Sequence, residues 1–358
     1  MEKYMKQLIM NSPDQKISFC EYMEAVLYTP EIGYYMRSRE KIGREGDFYT
    51  SVNVGDVFGR VLAKWFAYLI KEYNLPPTII EIGSGDGKLA YDILHYWKEK
   101  EIQLFDCVEY RLVDRSLDHQ QRQKERLMAF PQVSFGGVLE QYSELNGIVF
   151  SNELFDALPV HSIEKQNREM LEVFVTIKNE MLIEIKSPLR NDKIISYLES
   201  QNICLKEGQR MEIPLQMVEL YQNLASRIQS GLLVTIDYGY TDEEWRQPIH
   251  CQGSLRGYYQ HRMVRNVLEH PGKMDLTSHI HFDCLRREGV KYGFVEEDFL
   301  QQQAFLVKAG IMDELEEDNG LDPFSETAKR NRAIRSLLVG GYSEYFRVLV
   351  QSKGLMNG

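Results

Sequence analysis

The 358-residue sequence has no apolar run approaching the roughly 18 residues that a membrane-spanning helix needs, so no span is expected. Its first fifteen residues, Met1 to Gln15, lack the apolar stretch of a secretory signal and the Arg/Ser bias of a transit peptide. Cysteine is scarce: Cys20, Cys107, Cys204, Cys251 and Cys284 are widely scattered with no C-x-x-C pair, which removes the usual pattern of structural zinc or a dithiol redox centre. They read as reduced thiols, and a cytoplasmic location is expected. Positive charge is in deficit. With 42 Lys and Arg against 53 Asp and Glu, the formal net charge of −11 is a poor match to a phosphate backbone, and nucleic acid is not expected as a partner. A basic protein or a small cation suits that sign better. Repeats and low-complexity tracts are also missing, and 43% hydrophobic with 27% charged residues is an ordinary globular balance with enough chain to bury a large core.

Periodicity supplies the organisation. Ile17, Phe19, Tyr22, Met23, Val26 and Leu27 recur at three- and four-residue steps, predicting a helix over 17–28 with Ser18 and Glu21 as a capping box. Pro30, Gly33, Gly43 and Gly46 then punctuate a loop-rich stretch to Thr50. Val57 to Ile70 repeats the helical pattern, Pro76-Pro77 stops it, and Thr78-Ile79-Ile80-Glu81-Ile82 reads as a buried parallel strand. Beyond it come a helix at 88–98, a strand at 108–114, a helix at 117–129 and strands at 132–135 and 147–151; such alternation predicts an α/β fold with a parallel sheet. Leu171 to Ile177 and Met181 to Lys186 form an expected hairpin, 215–229 a helix, and Gly231 to Asp237 the next core strand, with two last strands at Tyr292 to Val295 and Tyr345 to Val350. The expected division is a helical amino-terminal cap over 1–75 and one domain over 76–358. That domain carries insertions at about 160–214 and at the weakly periodic 238–290.

The chemistry gathers at strand ends. Glu81-Ile82-Gly83-Ser84-Gly85-Asp86-Gly87 closes a strand and opens a helix, where an open α/β sheet places its ligand. A dinucleotide loop is G-x-G-x-x-G; here the glycines follow G-x-G-x-G, with Lys88 at the third dinucleotide position. Glu81 and Asp86 would repel a pyrophosphate, whereas Glu81 suits the cationic amino-acid end of S-adenosyl-L-methionine. Asp114, ending the next strand, is placed to accept hydrogen bonds from ribose hydroxyls. Asn152, Glu153 and Asp156, after the fourth strand, would face the reacting end of that cofactor. Two carboxylates there suit a guanidinium and could accept its proton. N-E followed by D is equally a helix-capping composition, so that reading stays open. His261, His279 and His281 fall within one insertion, but without carboxylates at ligand spacing no metal site is expected. His279 or His261 is instead a candidate for orienting the substrate or taking its proton.

Several segments stand in order along the chain: Ile17-Ser18-Phe19 through Met23; Leu27-Tyr28-Thr29-Pro30-Glu31-Ile32-Gly33-Tyr34-Tyr35; Ile42 through Thr50 with Gly46-Asp47-Phe48-Tyr49-Thr50; Phe58-Gly59; the glycine loop; Asn152-Glu153 to Pro159; Asp237-Tyr238-Gly239-Tyr240; Gly253-Ser254-Leu255-Arg256 with Tyr258 and His261; and Asp275-Leu276-Thr277-Ser278-His279. Together they resemble the MidA family of bacterial proteins and mitochondrial complex I assembly methyltransferases. The resemblance spans nearly the whole chain. It implies a class I, Rossmann-like methyltransferase fold: a seven-stranded sheet with a helical amino-terminal cap and insertions after strands 4 and 5. It also implies S-adenosyl-L-methionine as cofactor and a protein arginine as acceptor. Carried over by position, Gly83, Gly85 and Gly87 would hold the cofactor with Glu81, Asp114 and Asn152, and Asp47 and Thr50 would help close the site. Asn152, Glu153, Asp156 and His279 would serve the acceptor. Two positions depart from the family pattern. His281 stands where Asp is usual, which could alter the acceptor pocket, and Asp114 replaces a Glu with the ribose chemistry preserved. A small-molecule acceptor, another side chain, or a noncatalytic assembly chaperone are the competing readings, and a homodimer is left open.

Overall fold

The computed structural model describes residues 1–37, 55–317, 322, 324–339 and 345–355. Asp47 and Thr50 lie outside the described residues. Contacts divide the chain into two units: Met1–Phe48 with Phe155–Gln222 and Gly239–Glu288, and Tyr49–Leu154 with Asn223–Tyr238 and Gly289–Gly358. This grouping differs from a division at residue 75, because residues 1–48 join the two segments read as insertions.

The second unit is built on a mixed sheet. Its strands run in the order Val295–Gln301, Phe346–Lys353, Gly231–Tyr240, Gly147–Asn152, Thr78–Ile82, Glu109–Val113, Val133–Gly136. Pairing from Gly231–Tyr240 through to Val133–Gly136 is parallel, and Phe346–Lys353 enters antiparallel to both of its neighbours. The parallel strands are β-branched because both faces are covered: Ile79, Ile80, Ile148, Val149 and Val234 are fully buried. Covering them, the Val57–Glu72 helix sets Phe66 against Phe150 with ring centroids 5.0 Å apart, and the Trp97 indole donates to the Ala63 carbonyl at 2.9 Å. One expected strand moves. Tyr292 and Phe294 both donate backbone N–H groups to the Gly289 carbonyl in a turn, and the strand begins only at Val295. Its Glu296-Glu297-Asp298 run and the register shift beside it hide the strand from any hydrophobic pattern.

The first unit has two small sheets. In the larger, Glu169–Lys178 pairs antiparallel with His161–Gln166, Met181–Pro188 and Ile17–Ser18, and Arg210–Ile213 extends it. The expected hairpin is thus present, longer at both ends. Against it packs the Phe19–Tyr28 helix, whose Phe19, Tyr22, Met23, Val26 and Leu27 are buried with Val160, Val173 and Val175. Both bonds of the Ser18–Glu21 capping box form. The weakly periodic 238–290 stretch contains a three-stranded sheet of Arg262–Val264, Arg256–Tyr259 and Asp275–Thr277, followed by a helix over Phe282–Lys291. No helix among the described residues is long and apolar enough to cross a membrane.

Candidate active site

In the second unit the loop after Thr78–Ile82 turns on Gly83 (φ +71°), Gly85 (φ +53°) and Gly87 (φ +78°), a left-handed sequence that side chains rarely adopt. The three glycines are not equivalent. A Cβ on Gly83 would lie 2.6 Å from Leu154 Cδ1, whereas a Cβ on Gly85 would meet nothing within 4 Å. The loop therefore needs Gly83 for packing and keeps clear space beside Gly85. Asp114 braces it: Oδ2 accepts from the Gly85 N–H at 2.9 Å, and Oδ1 accepts from the Ser116 N–H at 2.8 Å. Gln123, one helix on, donates to Ser84 Oγ at 3.0 Å and to the Gly85 carbonyl at 2.7 Å. Oδ2 also lies 3.2 Å from the His119 ring nitrogen Nδ1, which leaves Oδ1 as the oxygen with lone-pair capacity for a ribose hydroxyl.

Glu81 is buried beneath this loop and accepts from the Tyr110 hydroxyl at 2.7 Å. Burial raises its pKa, the Tyr110 bond opposes the rise, and the carboxylates of Asp114 and Asp86 add to it, leaving Glu81 pushed up to about 8. Such a carboxyl calls for a cation. At the end of the next sheet strand, Asn152 has a buried Oδ1 with no hydrogen-bond partner among the described residues, and its amide faces Glu153 Oε1 at 3.4 Å. Glu153 holds a left-handed backbone (φ +50°), anchored by its N–H to the Ile236 carbonyl at 2.9 Å. A non-glycine residue kept in that region is strain of the kind that collects at functional sites. Clear space at Gly85, an orphaned amide oxygen and a carboxyl seeking positive charge together fit the adenosyl, ribose and amino-acid parts of S-adenosylmethionine. The second unit therefore brings together Glu81, Gly83, Gly85, Gly87, Asp114, Asn152 and Glu153.

Asp156 and His279 belong to the first unit. Asp156 is buried in a short 3-10 turn, Phe155–Ala157, and its carbonyl accepts from the Ser278 N–H at 2.9 Å. Near it, the Tyr35 hydroxyl donates to Asp275 Oδ1 at 2.6 Å, Tyr35 stacks on Tyr28 at 5.5 Å, and Tyr28 donates to the Ala157 carbonyl at 2.9 Å. Burial first, then the charges of Asp275, Tyr28 and Asp156, hold the Tyr35 hydroxyl well above its ordinary pKa. The result is a cluster of acid and aromatic side chains. Tyr28, Tyr35 and Asp275 lay within the family-like segments, but no spacing rule marked them as site residues, because their neighbours are supplied by other segments of the fold.

The histidines divide by burial. His279 stacks flat on Tyr240, centroids 4.2 Å apart at 2°, with Arg256 Nη2 lying 3.0 Å from its Nδ1 and 2.9 Å from its Nε2. Burial, then the charges of Arg256 and His250, keep its pKa well below the usual value, so the ring is neutral and suited to orientation. His281 is buried, hydrogen-bonds through Nδ1 with the Tyr197 hydroxyl at 2.7 Å and packs on Trp245; burial and Arg287 push it down to about 3. His261 is exposed at a hairpin tip with φ +61°. Among the described residues no group of His, Cys, Asp and Glu has the arrangement of a metal site.

Comparison with known proteins follows the same lines. Residues 61–296 match a family model described as S-adenosyl-L-methionine-dependent methyltransferase. The mouse protein named "Protein arginine methyltransferase NDUFAF7, mitochondrial" is 28% identical over 91% of this chain and 76% of its own. The human protein of that name is 28% identical over 82% of this chain and 70% of its own. A crystal structure of a Burkholderia thailandensis protein bound to S-adenosyl-homocysteine superposes with a TM-score of 0.88 at 27% identity, covering 100% of this chain and 94% of that one.

Proposed function

Since the chain belongs to the S-adenosyl-L-methionine-dependent methyltransferases, we propose that its acceptor is an arginine side chain of a protein. The observation that carries this reading is the cluster of buried Asp156 and Asp275 with half-buried Tyr28 and Tyr35, whose carboxylates and ring faces suit a planar cation. The mitochondrial relatives named as protein arginine methyltransferases support it. When bound, the cofactor supplies a methyl group on a sulfonium, so the leaving group is already activated. The chain's own work is binding and orientation. Glu81 neutralises the amino-acid end, Gly83 to Gly87 give the backbone room to approach, Asp114 takes the ribose and Asn152 offers its free carbonyl. Glu153 of the second unit and Asp156 of the first are each assigned to the acceptor, as carboxylates that can pair with a guanidinium and accept the proton its nitrogen must lose.

The same reading places the catalytic core on a seven-stranded sheet with insertions after its fourth and fifth strands; the grouping of 155–222 and 239–288 with the amino-terminal segment supports those insertions, whereas the Val57–Glu72 helix, read with the cap, packs on the sheet. A reducing, cytoplasm-like compartment is supported by the five free cysteines.

Labelled methyl transfer into a lysate from a strain lacking the protein tests the assignment. Glu153→Gln and Asp156→Asn should each lower transfer at least about tenfold while cofactor binding persists. Wild-type rates in both variants would remove these residues from the acceptor role.

A further inference from the structure

Apart from Leu117, every residue of the Leu117–Arg126 helix is polar, and its one buried side chain among the described residues is Gln123. Helices usually dock through an apolar stripe. This one reaches inward with His119, Gln123 and Arg126, whose steps of four and three place them on one face. His119 meets Asp114, Gln123 meets Ser84 and Gly85, and Arg126 Nη1 lies 2.9 Å from Asp86 Oδ1. The stripe thus touches both the glycine loop and the carboxylate beside it.

A turn made of left-handed glycines has no side chains by which apolar packing could hold it, and glycine loses more backbone freedom on ordering than any other residue. Hydrogen bonds from the helix supply the constraint, because they fix direction as well as distance. Asp114 is held most closely. Its Oδ2 takes the Gly85 N–H and the His119 ring, its Oδ1 takes the Ser116 N–H, and its backbone carbonyl accepts from the Gln120 amide at 2.7 Å. A carboxylate only accepts, so the His119 proton sits on Nδ1. The His119 backbone is fixed in the same turn, where its N–H reaches the capping Ser116 Oγ at 3.4 Å. With two donors on one oxygen and one on the other, the buried carboxylate is held against rotation, and the remaining lone pair of Oδ1 has a set direction.

On the reading that Asp114 takes the ribose, we propose that His119 is the positioning residue that aims it. Its Nδ1–H occupies Oδ2, Oδ1 is left to meet a ribose hydroxyl, and the site thereby selects a ribonucleoside cofactor over a deoxyribonucleoside one. Gln123 has a different part, since its bonds go to the loop itself.

Titration calorimetry of the full-length protein with adenosylhomocysteine and with its 2′-deoxy and 3′-deoxy analogues tests this. The wild type should bind the parent at least about tenfold tighter than one of the analogues, the usual worth of a hydrogen bond to a charged group. His119→Phe should cut that ratio to below about threefold while the affinity for the analogue stays within about twofold. His119→Asn, whose amide nitrogen can stand where Nδ1 stands, should restore the ratio. Gln123→Met should weaken parent and analogue alike and keep the ratio, which is the mark of a change to the loop alone. A His119→Phe protein that keeps the wild-type ratio, or that weakens parent and analogue alike as Gln123→Met does, overturns the proposal and leaves the ribose role of Asp114 standing. A wild type with no preference over either analogue removes that ribose role, and the proposal with it.

Discussion

Glu81 shows how one buried carboxyl ties cofactor binding to pH. Held at about 8 by burial, it is largely protonated at neutral pH, and a cationic ligand beside it would drive the proton off. Binding of S-adenosylmethionine should therefore release a proton and strengthen as pH rises from about 6 to about 8; calorimetry in two buffers of different ionisation enthalpy measures that release. The linkage to folding has the opposite course. A raised carboxyl pKa contributes stability that is fully present below the unfolded value of 4.5 and is lost as pH rises to about 8. Glu81→Gln should melt at a higher temperature than the wild type near pH 8, bind the cofactor more weakly, and bind without pH dependence. His281 behaves in the reverse sense. Its pKa is depressed to about 3, so its contribution is present above the unfolded value of 6.5 and disappears as pH falls toward 3. His281→Gln, whose amide can hydrogen-bond with Tyr197 in either direction, should flatten the acid limb of a melting-temperature profile. Gly85 offers a third residue-scale check: since a Cβ there touches no protein atom within 4 Å, Gly85→Ala should cost about 1 kcal/mol of stability through its positive φ yet lower cofactor affinity at least about tenfold, as titration calorimetry would show.

Among the elements, those with strong local signals were legible in the sequence. The Phe19–Tyr28 helix announces itself by a capping box and an apolar stripe, and Thr78–Ile82 by a β-branched run between Pro-Pro and a glycine loop. Ser18→Ala should accordingly cost about 1 kcal/mol in urea denaturation, the usual worth of an N-cap. Elements defined by their partners were less legible. Val295–Gln301 carries three consecutive acids and is held by its antiparallel neighbour, and the Arg256–Tyr259 sheet joins strands that are individually short. The candidate site divides in the same way. Its glycine loop is contiguous and could be read from spacing, as could Asn152, Glu153 and Asp156. Tyr110 and Gln123 reach the loop only through tertiary contact, and so does the pairing of Tyr35 with Asp275 across 240 positions of chain.

At the scale of the whole molecule, the chain combines a sheet that ends in a cofactor loop with a unit that carries an acidic, aromatic cluster, and its net charge of −11 suits a basic acceptor. The central claim is that this combination moves a methyl group to protein arginine. Its most direct test is incubation of the wild-type chain with isotope-labelled S-adenosylmethionine and an acceptor-bearing lysate, followed by mapping of the labelled atom. The predicted result is label on arginine side-chain nitrogens, absent with Gly85→Ala. Label confined to small molecules or to other side chains, or no transfer despite measured cofactor binding, would contradict it.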